Sequence, residues 1–233
     1  MKKLWLLAML GGLGCGLPVR GQIQDGTRYW GGTVKLEGNT STDRVTDGTS
    51  TQSASRHTIT PELQWGKFIN SNTMIGVGVR YNFSLSKTIQ EFPGTSNNDF
   101  NATTFGQSIA LLPFIRKYKT LNEHWAVFIH GEIGPLYNWD RSKNSVSPQP
   151  ENKNRSWEYE LGIKPGLVYF FPKRNVAIEG YAGILSLFAR YSPYNDNSGR
   201  GISLSTGLST RFPDYFTLRI AKYIPAKNQP AQP

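Results

Sequence analysis

From Met74 to Ser86 apolar and polar residues alternate one for one. Ile75, Val77, Val79, Tyr81, Phe83 and Leu85 fall on one face, and Gly76, Gly78, Arg80, Asn82 and Ser84 on the other. Period two belongs to an extended strand, whose successive side chains point to opposite sides of a sheet. A strand of this kind separates two environments, and a one-residue slip would exchange them.

The same division recurs along the chain. A first strand spans about Arg28 to Gly38, with Trp30, Val34 and Leu36 opposite Thr33, Lys35 and Glu37. A second, about Arg56 to Phe68, sets Ile59, Pro61, Leu63 and Trp65 against Thr58, Thr60, Glu62 and Gln64. Strand three is the Met74 segment. Strands four (Thr103–Tyr118), five (Trp125–Trp139) and six (Trp157–Phe171) follow, with His130 and Glu132 opposite Ile129 and Ile133, and Glu160 and Lys164 opposite Leu161 and Ile163. Strand seven, Val176 to Tyr191, loses its alternation near Gly183, and strand eight, Gly201 to Tyr223, is interrupted by Pro213 and Asp214. One extra residue inverts the facing of everything beyond it, so a bulge is expected at each place.

The connections alternate in length. Long polar segments cover about Asn39–Ser55, Ser86–Ala102, Asp140–Ser156 and Ser192–Arg200, whereas short links lie near Asn70–Asn72, Lys119–Glu123 and Pro172–Asn175. Long outer loops and short periplasmic turns are the rhythm of an outer-membrane barrel, whose strands average out polar and leave no long hydrophobic stretch. Aromatic residues gather at strand ends: Tyr29 and Trp30, Trp65, Tyr118, Trp125, Tyr137 and Trp139, Trp157 and Tyr159, Tyr169 and Phe170. Rings with a polar tip favour the membrane interface, and these positions are expected to form two girdles. Pro61, Pro113 and Pro165 recur 52 residues apart. Proline lacks a ladder donor, so local bulges or weakened pairing are expected there.

The chain opens with Lys2 and Lys3, an apolar run from Leu4 to Leu17 and small residues around Gly21 and Gln22, the parts of a secretory signal peptide. The run is shorter than the ~20 apolar residues of a spanning helix. The expected organisation is a signal peptide over 1–21, a barrel domain over 22–223 and a polar tail over 224–233. Cys15, the only cysteine, lies in the expected leader, which leaves the mature chain without disulfides or a thiol nucleophile. The leucine usual three positions before a lipidated cysteine is missing. The net charge is +10, and loss of Lys2, Lys3 and Arg20 leaves +7. With no Lys/Arg block and an exported context, the counter-charge expected is an anionic lipid or polysaccharide surface, not nucleic acid.

Tyr29-Trp30-Gly31-Gly32, the run Met74 to Tyr81, Phe128 to Gly134, Leu161 to Phe170 and Val176 to Gly180, in this order, resemble the outer-membrane protein β-barrel domain family, the small eight-stranded barrels akin in architecture to OmpX and the OmpA membrane domain. The resemblance covers nearly the whole mature chain. It implies an all-β, eight-stranded antiparallel up-and-down transmembrane barrel in the outer membrane, with membrane lipid, the outer-membrane assembly machinery and a surface partner at the long loops as its contacts. The chain departs from the pattern at its end, where Tyr223 is followed by Ile224 and a Pro-rich tail. The family carries no single activity.

Parity puts Lys35, Arg80, Arg116, Lys164, Arg211 and Arg219 inside, together with Glu37, Glu62, Glu132, Glu158, Glu160 and Glu179, six charges of each sign. An eight-stranded barrel is only wide enough for side chains to fill, and unpaired buried charge is unfavourable. The expected interior is a plugged polar network of Lys35, Glu62, Arg80, His130, Glu132, Glu160 and Lys164. The expected role is non-enzymatic, structural or through the outer loops. Alternatives are a narrow conduit for small solutes, a lipid A-modifying enzyme, and a soluble secreted β-sandwich or lipocalin-like barrel. An enzyme would draw on His130 with Glu132 and a serine such as Ser84 or Ser108, or on His57 beside Ser55. No cofactor is expected, and no metal-ligand spacing is present beyond Asp43 and Asp47, which could weakly hold Ca²⁺.

Overall fold

A computed structural model describes residues 23–44, 51–91, 100–144, 152–182, 187–192, 201–206 and 216–226. The expected leader with Cys15, the tail from residue 227, Asp47, Arg211 and the Pro213–Asp214 interruption lie outside the described residues.

The chain forms an eight-stranded antiparallel up-and-down barrel. β1 (Arg28–Arg44), β2 (Thr51–Phe68), β3 (Thr73–Glu91), β4 (Phe100–Thr120), β5 (Trp125–Asn144) and β6 (Asn152–Phe171) are its first six strands. A 3₁₀ turn, Pro172–Arg174, leads to the seventh, described as β7 (Val176–Ala182) and β8 (Leu187–Ser192). The eighth is β9 (Gly201–Thr206) and β10 (Phe216–Ile224), so β10 runs one residue past Tyr223. Each strand pairs with its predecessor, and β1 pairs with β10 over Arg28 to Gly32 to close the cylinder.

The strands outrun their alternating cores. β1 and β2 stay in register from Arg28 opposite Lys67 to Arg44 opposite Thr51, through polar residues expected to be loop. Once both faces are wet, alternation stops, but the backbone ladder continues through Ser and Thr that tolerate extended geometry. Strands of 17 to 21 residues exceed the ~10 needed to cross a bilayer, so hairpins project beyond it.

The three prolines weaken pairing on one edge only. Pro61 pairs with Val34, whereas the β2–β3 ladder skips from Ile59–Phe83 to Glu62–Arg80. Pro113 pairs with Val77, whereas the β4–β5 ladder skips from Ala110–Leu136 to Phe114–Glu132. The missing N–H interrupts the edge it would have faced. No residue is inserted at either place, so the register is kept and there is no bulge. At Pro165 the other edge does shift. Gly166 pairs with Tyr181 and Ile163 with Leu187, three steps along β6 against six along the seventh strand. Residues 183–186 between them, where the loss of alternation near Gly183 was expected, lie outside the described residues.

Among the described residues the outward face carries an apolar belt. Val34 is 62% exposed, Ile129 61% and Ile220 70%, and between Trp125 and Tyr137 the outward positions of β5 carry no charge. Trp30 meets Trp65 edge-on at 5.5 Å and Trp125 meets Tyr169 at 4.8 Å near the short turns; Tyr137 lies 4.8 Å from Trp157 and 5.5 Å from Trp139 near the loops. From Trp125 to Tyr137 the chain advances about 40 Å along β5, or about 30 Å along the normal at a tilt of about 40°. This equals the ~30 Å of a hydrocarbon core. An exposed apolar belt on a closed barrel is consistent with a membrane-embedded protein. Three of the expected girdle residues belong elsewhere: Tyr29, Tyr118 and Phe170 are buried inside the barrel, one step out of phase with Trp30, Lys119 and Tyr169.

Candidate functional site

The barrel interior is filled by two connected polar hubs. The first is Arg116, at an inward position of β4 and fully buried. Its Nη1 donates to both carboxylate oxygens of Glu179 on β7 at 3.0 Å and to the Tyr118 hydroxyl at 2.8 Å. Nη2 donates to Gln64 Oε1 on β2 at 2.8 Å and to the Tyr181 hydroxyl, and Nε to His130 Nδ1 at 3.2 Å. The Tyr29 hydroxyl donates to Glu179 Oε2 at 2.9 Å and that of Tyr223 to Oε1 at 2.6 Å. The rings of Tyr29 and Phe128 lie 4.9 and 4.7 Å from the guanidinium carbon, where their faces attract the cation. Phe68, Met74 and Phe170 complete a buried apolar cluster around this hub.

Inward glycines make room for these rings. A Cβ at Gly166 would lie 2.2 Å from Phe128 Cζ, and one at Gly31 would lie 2.2 Å from the Tyr29 oxygen. Side-chain volume is spent where the rings are and removed beside them, on the neighbouring strand at Gly166 and two residues along the same strand at Gly31, as a close-packed interior requires.

The second hub is Arg80 on β3. Nε donates to Glu62 Oε2 at 3.2 Å, Nη1 to Glu160 Oε1 at 2.9 Å and Nη2 to Glu132 Oε1 at 2.8 Å, so one guanidinium bridges β2, β5 and β6. Lys164 Nζ also donates to Glu132 Oε1, and His130 Nε2 lies 2.8 Å from Glu132 Oε2. Arg219 on β10 joins the hubs: Nη2 donates to Glu62 Oε1 at 2.6 Å, and Nη1 donates to Gln64 Oε1 and the Tyr181 hydroxyl. Gln64 Nε2 closes the circuit on Glu62 at 2.8 Å. Three arginines and Lys164 thus face four glutamates across the lumen, four charges of each sign, in the manner that burial demands.

Of the residues expected to form the network, Glu62, Arg80, His130, Glu132, Glu160 and Lys164 meet here. Lys35 Nζ is 2.6 Å from Glu37 Oε1, and both side chains are more than a third exposed. The Arg116 hub was visible to parity only as an inward charge. Its partners come from β2, β5 and β7, and nothing in the spacing announces that they converge.

The candidate catalytic histidines can be placed. His130 is fully buried with both ring nitrogens engaged, Nδ1 accepting from Arg116 and Nε2 facing Glu132. The Ser84 hydroxyl donates instead to the Gly106 carbonyl at 3.4 Å. His57 stands across from Gly38 and Leu85, exposed. Among the described residues no group of three His, Cys, Asp or Glu side chains could hold a metal ion.

A scan against protein-family models finds no match for this chain, and a search of curated proteins finds none. The architecture is consistent with the outer-membrane barrel superfamily on its own geometry: eight strands, closure, an apolar outer belt and a polar filled interior.

Proposed function

We propose that this chain is an exported, non-enzymatic outer-membrane barrel of the small OmpX-like and OmpA-like kind, with a sealed lumen and a role as a structural element or as a platform for its outer loops. The observation that carries this reading is the unbroken circuit from Glu160 through Arg80, Glu62 and Arg219 to Gln64, Arg116 and Glu179, which crosses the interior from β6 to β7 by way of β3, β2, β10 and β4. Ions can pass such a plug only by breaking charge-assisted hydrogen bonds, each stronger than a neutral one.

Purified protein in planar bilayers is therefore expected to show no stable conductance. Glu62→Ala with Glu132→Ala, which strips Arg80 of two carboxylates, is expected to give irregular, flickering current. A large steady conductance from the unaltered protein would refute the sealed reading and favour a conduit for small solutes.

A further inference from the structure

On three neighbouring strands, Gly180 lies in register between Leu167 of β6 and Leu218 of β10. The absence of a side chain at Gly180 opens a groove of about 670 Å³, walled by Trp125, Leu167, Tyr169, Ile178 and Leu218. This falls in the ~300–1,000 Å³ range of ligand-sized clefts. Its floor and walls are almost wholly apolar, and it sits in the lipid-facing belt beside the Trp125–Tyr169 girdle pair.

Just beyond its short-turn end the chemistry changes. Ile178 is followed two positions down by Val176, whose partner across the ladder is Lys222. The turn joining β6 to β7 carries Lys173 and Arg174. All three cations are exposed: Lys222 stands level with Val176, two residues or roughly 7 Å below Ile178, and Lys173 and Arg174 lie in the turn just past the Phe171–Val176 pair, each four residues along the chain from Tyr169 and Ile178 respectively. They belong to a wider rim, since Arg28, Lys67, Lys117 and Lys119 are also exposed at this end, against Asp25 and Glu123 as its acidic residues among the described ones.

An apolar slot at hydrocarbon depth that ends in three cations at headgroup depth matches one class of molecule. We infer that the groove over Gly180 seats an acyl chain of an acidic glycerophospholipid, whose phosphate is held by Lys173, Arg174 and Lys222. The inference rests on the membrane-embedded reading. It differs from general attraction of a basic rim to anionic lipid because it requires the groove.

Trp125 in the groove wall supplies the test. The barrel is reconstituted in phosphatidylcholine vesicles containing a minor fraction of phosphatidylglycerol or phosphatidylcholine brominated near the glycerol end of its acyl chains. Reporters retain only Trp125, or only Trp65 on the far side, the other barrel tryptophans being replaced by Phe. Brominated phosphatidylglycerol is expected to quench Trp125 several-fold more than brominated phosphatidylcholine does, with a much smaller preference at Trp65. Gly180→Val should abolish the excess, and it is tolerable because a Cβ there meets only Leu218 Cδ2, at 3.8 Å. K173Q/R174Q/K222Q should abolish it as well. Equal lipid preference at Trp125 and Trp65, or an excess that survives Gly180→Val, would overturn the site while leaving the membrane reading intact. Absence of quenching at both reporters by both lipids would overturn the membrane reading itself. Native mass spectrometry of the unaltered chain from the same vesicles is the second readout: a one-to-one phosphatidylglycerol adduct lost in Gly180→Val is expected, and equal retention of both lipids would refute the assignment.

Discussion

Replacing Glu179 by Gln tests whether the Arg116 hub holds the barrel together or merely fills it. Glu179 is fully buried and receives Arg116 on both carboxylate oxygens, with Tyr29 and Tyr223 on one oxygen each. Gln keeps the shape and can satisfy most of these hydroxyls by rotation, so cavity formation contributes little. What remains is a guanidinium whose nearest carboxylate is gone. Breaking a buried pair by removing one partner costs about 3–5 kcal/mol. The double variant Arg116→Met/Glu179→Met removes both charges and should lie close to the parent, within about 1–2 kcal/mol. The measurement is reversible denaturant unfolding in lipid vesicles, followed by tryptophan fluorescence and by the gel shift between folded and heated protein. A loss below about 1 kcal/mol in Glu179→Gln, or a double variant as unstable as the sum of the two single ones, would refute the pairing argument.

Arg substituted for Val77 or Ile163 on the outer face should destabilise the barrel by roughly 2–4 kcal/mol at mid-bilayer depth, whereas Asn82→Ser, inside and hydrogen-bonded to Thr60 at 2.9 Å, should lose no more than about 1 kcal/mol; equal effects in vesicle unfolding would mean the facing is inverted. Cysteine at Thr42 or Asn144, at the loop end, should react with an impermeant thiol reagent on intact cells, and cysteine at Asn72, in a short turn, should not; the opposite pattern would reverse the topology. Gly134→Ala should fold poorly or not at all in a refolding assay, because the added Cβ would stand 1.9 Å from the Leu111 carbonyl oxygen, and normal refolding would show that β4 and β5 can separate there.

Much of this architecture is legible in the sequence because a lipid-facing strand must be apolar at every second residue. Ile75 to Leu85 and Ile129 to Ile133 declare their faces, and parity alone puts Arg80, Glu132 and Glu160 inside. Parity also held the answer that aromatic clustering obscured: Tyr29 is out of step with Trp30, and Tyr118 lies on the same face as Arg116. An aromatic ring near a strand end satisfies either a girdle or a plug, and composition does not distinguish them. The stagger of the strands is a further quantity that pattern does not encode. Whether Arg116 meets Glu179, 63 residues away, or some other inward acid depends on the tilt of the whole cylinder. The prolines show a third limit, since each removes a donor from one edge while its other edge pairs normally.

The reach of Arg116 bears on how such a cylinder is put together. Its carboxylate arrives on β7, after most of the chain has been made, and the closing seam between β1 and β10 adds Tyr29 and Tyr223 to the same cluster. A sheet of four or five strands therefore carries a cation that cannot enter an apolar setting, because its compensating groups are not yet beside it. Partial assemblies are disfavoured by that charge, and the last strands to arrive release the penalty together. Completion of the sheet and neutralisation of Arg116 are thereby tied together, and closure of the cylinder is expected to be closer to all-or-none than stepwise addition of hairpins would be.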